Sequence, residues 1–102
     1  MKKAKIFVSG VIAGFLEENE QGKHYNFRYK NHYEGAPVSL TMPLSIRHYE
    51  FDEFPPFFDG LLPEGMQLEA LLKGKKLDAD DFFEQLICVG NDLIGDVTVK
   101  VL

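Results

Sequence analysis

The chain has 102 residues, the length of one domain spanning 1–102, and its 45% hydrophobic and 13% aromatic content can build a real core. Charged residues at 26%, with nine Phe and four Tyr, exclude disorder as the default state. A formal charge of −5 and a pI near 5.1 argue against the basic stripe that direct nucleic-acid binding requires.

The first half reads in period two. Ala4, Ile6 and Val8 alternate with Lys3, Lys5 and Phe7, and Ser9-Gly10 supplies a tight turn into a strand over 11–17. A second turn is expected from Asn19 to Gly22. Beyond it Tyr25, Phe27 and Tyr29 fall on one face, with His24, Asn26, Arg28 and Lys30 on the other. Val38, Leu40 and Met42 alternate again, which predicts a strand ended by Pro43, and 45–51 is a weaker candidate. The second half changes period. Pro55-Pro56 opens a short apolar turn through Phe57, Phe58, Leu61 and Leu62. Pro63 suits the first position of a helix whose buried stripe is Leu68, Leu71 and Leu72 and whose terminator is Gly74. A further helix is predicted with Asp78 as its N-cap, Leu77 stapled onto Phe82, and a stripe of Phe82, Phe83, Leu86 and Ile87 ending at Gly90. Asn91-Asp92 then turns the chain into a last strand of Val97, Val99 and Val101. The fold class is α+β. The expected form is a closed or strongly curled antiparallel sheet of about five to six strands, with two to three short helices packed at one side and both terminal strands in the sheet.

Residues that could carry chemistry are present but not in working patterns. His24, His32 and His48 lack metal-ligand spacing, and Ser9, Ser39 and Ser45 lack a nucleophile's context. Cys88 lies in the apolar run Leu86-Ile87-Cys88-Val89 and reads as a buried, inert thiol. Gly90 to Gly95 has the glycine spacing of a phosphate loop but no following Lys-Ser/Thr. The acid pairs read as solvated charges or helix-start carboxylates. Met1-Lys2-Lys3 is followed by no clean apolar stretch, so a cytoplasmic chain with no membrane contact is expected. The expectation is a binding protein without catalytic residues, metal or cofactor.

Several motifs carry a family resemblance. Val38-Ser39-Leu40-Thr41-Met42-Pro43-Leu44 is similar to the S-L-S-L-P-L segment of the N-terminal subdomain of HipA-type serine/threonine kinases. Phe57-Phe58-Asp59-Gly60-Leu61-Leu62-Pro63-Glu64-Gly65 resembles that family's F-F-x-x-L-L-P-[DE]-G/S signature. Asp81-Phe82, then Gly90-x-Asp92-x-x-Gly95 with Val97 and Val99, resembles its ending, although Asp96 stands where the family usually has alanine. The likeness covers essentially the whole chain, in order, and the chain is expected to lack the kinase body that follows this subdomain in the longer family members. A stand-alone copy of this subdomain resembles the HipS-type proteins of three-component HipBST toxin–antitoxin systems. The resemblance implies an antitoxin that binds and inhibits a HipT-like serine/threonine kinase toxin, with a HipB-like DNA-binding protein in the same complex. The alternative is a structural subunit that completes the kinase fold without inhibiting it.

The expected partner-binding surface centres on Met66, which helical geometry points away from the Leu68, Leu71 and Leu72 stripe. Leu62, Pro63, Glu64, Gly65, Gln67 and Glu69 surround it, and Phe57 and Phe58 extend it toward the Pro-rich turn.

Overall fold

A computed structural model describes residues 2–20, 22–91, 93 and 95–102. In chain order the elements are β1 (Lys2–Val8), β2 (Val11–Glu20), β3 (Lys23–Tyr29), β4 (His48–Phe51), α1 (Pro56–Asp59), α2 (Gly65–Lys75), α3 (Phe82–Val89) and β5 (Val97–Val101). The strands form one sheet ordered β4-β3-β2-β1-β5, antiparallel at every pairing, so both terminal strands belong to it. The sheet is open rather than closed, with β4 and β5 as its edges.

The alternation read from the sequence decides which face is dry. Register aligns Ala4 with Leu16 and Val101, Ile6 with Val99, and Leu16 with Phe27, so these side chains share a face. Tyr25, Phe27 and Tyr29 lie there too, and Phe58 of α1 with Phe83 and Leu86 of α3 completes the core. Ser9 and Gly10 both take positive φ, 49° and 82°, as a two-residue type I′ hairpin turn demands. The register slips between Ile6 and Phe7, leaving Ala13 as the extra residue of a β-bulge. The opposite face is polar and self-covered. Lys3 pairs with Glu17 at 3.1 Å, Arg28 lies 4.6 Å above the Phe15 ring, and Lys100 lies 5.6 Å above that of Phe7.

Val38 to Met42 is not a strand. Val38 and Met42 are buried but Leu40 is 93% exposed, because the segment folds into a turn closed by Met42 N–H on the Ser39 carbonyl, 3.0 Å. Tyr29 fixes both ends: its hydroxyl accepts from the Val38 N–H at 3.0 Å and donates to the Met42 carbonyl. Burial pushes the Tyr29 hydroxyl above its ordinary pKa, partly countered by the Val38 N–H.

The cap of α3 is also one turn later than expected. Asp81, not Asp78, accepts from the Glu84 N–H at 3.2 Å, and Asp78 instead accepts from the Asp80 N–H at 3.1 Å in a local turn. Gln85, buried, donates to the carbonyls of Asp78 and Ala79 at 3.2 and 3.0 Å and ties that turn to the helix. Phe83 and Leu86 are buried while Phe82 and Ile87 are half-buried. Cys88 is exposed, since it falls about 200° around the helix from Leu86. Gly90 does end α3, and its carbonyl accepts from the Val99 N–H at 3.0 Å. The expected turns at Asn19 to Gly22 and at Asn91-Asp92 include Gln21 and Asp92, which lie outside the described residues.

Candidate protein-docking surface

The segment from Pro55 to Glu69 carries every residue expected at the docking surface, and the structure divides them. Pro56 occupies the first turn of α1, where its missing N–H has no cost, and the turn runs on through Leu61 N–H to the Phe58 carbonyl and Leu62 N–H to the Asp59 carbonyl. This places Phe58 inward. It is fully buried, 6.1 Å from the Phe27 ring centre and edge-on to Phe57 at 5.2 Å. Phe58 is therefore a core residue and leaves the docking set. Phe57 is half-buried and lines a small apolar cleft with Met42, Tyr49 and Phe51.

Pro63 does not begin a helix. Helix α2 starts at Gly65, whose φ is +58°, with Glu64 as an extended N-cap that makes no side-chain cap bond. The helix ends at Lys75 rather than Gly74, with Lys76 in the left-handed conformation and the Leu77 N–H reaching the Leu72 carbonyl at 3.1 Å. Leu62 and Pro63, half-buried, and Gln67, exposed, line one side of a cleft of about 300 Å³, with Val89 and Leu93 opposite. Glu64, Gly65, Met66, Gln67 and Glu69 are all exposed, and Met66 is 85% so.

The expected leucine stripe is only half present. Leu68, Leu71 and Leu72 are half-buried, and α2 contributes no fully buried residue. An 11-residue helix has little stability of its own in water, and this one gains little from packing. It is the element of the fold least accounted for by the domain's own core. Leu40, which sequence patterning assigned to a strand, is with Met66 one of the two most exposed large apolar side chains among the described residues. The Ser39 and Thr41 hydroxyls that flank it, 2.8 Å apart, were the readable sign of a turn there.

Among the described residues the tyrosines with raised pKa values sit in structural contacts. Burial, then the hydrogen bond to Glu18 at 2.9 Å, pushes the Tyr25 hydroxyl well above its ordinary pKa. Glu18 also accepts from the Gly22 N–H at 3.3 Å, so this buried pair is satisfied and structural. His24, His32 and His48 are exposed. Among the described residues no group of three or more His, Cys, Asp or Glu is placed to hold a metal ion, and no helix is long and apolar enough to cross a membrane.

The family model of the HipA N-terminal domain matches residues 4–100. The chain belongs to the HipA N-terminal domain family. A solved structure described as the N-terminal domain of HipA toxin superposes with a TM-score of 0.78 at 27% identity, covering 100% of this chain and 93% of that one. A Haemophilus influenzae protein, described only as uncharacterized, is 30% identical over 100 residues, which are 98% of this chain and 92% of the relative. The segments that resemble HipA-type sequences sit at structural joints of this HipA N-terminal domain. Phe58 enters the core, Asp81 caps α3, and Gly90 meets β5.

Proposed function

We propose that this protein is the antitoxin of a three-component toxin–antitoxin system, binding a HipT-like serine/threonine kinase and inhibiting it, with a HipB-like DNA-binding protein in the same complex. Membership of the HipA N-terminal domain family supports a HipA-associated role. The observation that carries the rest is α2, a helix without one buried side chain that holds Met66 85% exposed beside Glu64, Gln67 and Glu69. A flexible apolar anchor with a polar rim is what a protein interface uses at its centre. The relative of nearly the same length supports a domain of this kind acting as its own chain. Docked against the kinase's N-terminal lobe, it would hold the lobes in a nonproductive arrangement, which requires only tighter binding to that arrangement than to the active one.

The test is the sign of the effect. Added to a purified HipT-like kinase, the protein should lower autophosphorylation in proportion to complex formed, whereas a subunit that merely completes the kinase fold would preserve or raise it. Met66→Asp should fold normally and bind at least about tenfold more weakly, since burying an unpaired carboxylate is costly. Wild-type affinity in that variant would move the interface off α2.

A further inference from the structure

Resting on that reading, we infer that the free edge of β4 is a second contact, which takes up an extended, basic and apolar segment of the kinase by strand addition. Three independent observations converge on it. The first is the hydrogen-bond register. Tyr29 N–H donates to the Arg47 carbonyl at 2.9 Å, so residues 29 and 47 form a hydrogen-bonded pair. Pairs then alternate along the antiparallel ladder, making Phe27 with Tyr49 and Tyr25 with Phe51 hydrogen-bonded, and Arg28 with His48 and Asn26 with Glu50 not. The N–H and C=O groups of His48 and Glu50 consequently point away from the sheet, and no backbone partner meets them among the described residues. The other edge differs: Val99 of β5 already donates its outward N–H to Gly90.

The second observation is the cleft beside this edge, about 220 Å³ and lined by Met42, Tyr49, Phe51, Pro55, Pro56 and Phe57. Tyr49 and Phe51 are the two β4 side chains on the core face. A strand hydrogen-bonded to Glu50 would place its neighbouring residues opposite Tyr49 and Phe51, on that same face, so an apolar side chain there enters the cleft. The third is charge. Glu50, Asp52 and Glu53 are exposed along the strand and its exit, and Glu53 and Asp59 line an adjoining hollow that shares Pro56 with the cleft. Among the described residues the one ion pair any of them makes is Asp52 with His24, 3.8 Å apart and charged only when the imidazole is protonated; Glu50, Glu53 and Asp59 make none. An arriving strand with Lys or Arg beside its apolar residue would meet backbone, cleft and carboxylates together, and the acidic rim would disfavour a second copy of β4.

The experiment is residue-resolved amide exchange by NMR on the labelled protein, alone and bound to the purified HipT-like kinase. The His48 and Glu50 amides should exchange freely in the isolated chain and slow at least about a hundredfold in the complex, as backbone bonding requires. Glu50→Pro, which deletes one outward N–H, should weaken binding about tenfold or more while Glu50→Ala stays closer to wild type. Because proline could disturb β4 itself, the double variant Asp52→Lys, Glu53→Lys, altered only at exposed positions, provides the second reading and should also bind about tenfold more weakly at low salt. A complex that forms and inhibits with both amides still exchanging freely would overturn the strand addition and leave the antitoxin reading intact. A kinase that does not bind at all would overturn both.

Discussion

Gly90 offers the sharpest test of how α3 is joined to the sheet. A Cβ added there would lie 2.0 Å from the Val99 carbonyl oxygen, 2.9 Å from its carbon and 3.1 Å from the Val99 Cβ. None of these atoms is the end of a flexible side chain, so Gly90→Ala must push helix and strand apart by well over an ångström. That separation strains the Val99 N–H to Gly90 carbonyl bond, now 3.0 Å. Overpacking costs roughly 1–3 kcal/mol and the weakened hydrogen bond about 1 kcal/mol. The backbone itself, at φ −55° and ψ −30°, accepts alanine and returns up to about 1 kcal/mol. The net expectation is a loss of about 2–3 kcal/mol, equivalent to roughly 10–20 °C in Tm for a domain of this size. Gly74 is the control. It lies inside α2 with nothing within 4 Å of the added Cβ, so Gly74→Ala should stabilise by about 0.5–1 kcal/mol. Urea unfolding should move the two midpoints in opposite directions with unchanged slope. A Gly90→Ala midpoint equal to wild type would refute the close approach of α3 and β5 as the reason for glycine.

Asp81→Ala should cost about 1 kcal/mol through loss of the α3 cap, and Asp78→Ala less than half of that; equal losses in denaturant unfolding would return the cap to Asp78. Phe58→Ala should cost roughly 3–5 kcal/mol as a core truncation, a large share of a domain's stability, and a variant that melted like wild type would put Phe58 back on the surface. Tyr25 and Tyr29 predict a pH dependence of defined sign. Burial raises both folded-state values above the ordinary 10.0, so the folded chain keeps protons that the unfolded chain releases. Their contribution is complete below about pH 10 and is lost as pH climbs through the folded values, so the urea midpoint should fall between about pH 8 and about pH 11. A flat profile across that interval would contradict the buried placement of these hydroxyls.

The sheet was legible because its evidence is periodic and local. Ala4, Ile6, Val8 and Tyr25, Phe27, Tyr29 sit on the face their alternation assigned, and a one-residue slip would have exposed all six. The helices were less legible because capping depends on one residue's φ/ψ, and Asp78 and Asp81 present the same chemistry three positions apart. Asp81 won where Gln85 could reach back to the carbonyls of Asp78 and Ala79 and hold the intervening turn. Pro63 fitted a first helical position equally well, but Gly65 at φ +58° breaks the backbone two residues later and delays the helix.

The proposed docking surface and the loop before β4 show where patterning stops being informative. Val38, Leu40 and Met42 alternate as cleanly as Tyr25, Phe27 and Tyr29, yet Leu40 stands in solvent. What separates them is a distant group, the Tyr29 hydroxyl, which binds the backbone at Val38 and Met42 and leaves the middle residue nowhere to go but outward. Phe57 and Phe58 are chemically identical neighbours, but α1 turns Phe58 onto Phe27 and leaves Phe57 over a cleft. Met66 was readable because helix geometry alone turns it from the leucines, and its exposure follows even though α2 begins at Gly65 instead of Pro63. The β4 edge had no such signal. Which of its amides point outward depends on the parity of one bond, from Tyr29 to Arg47, across the long loop that joins β3 to β4. Side-chain pattern constrains what a residue buries; the direction of an N–H follows only once the strands are paired, and a strand-accepting edge is made of those directions.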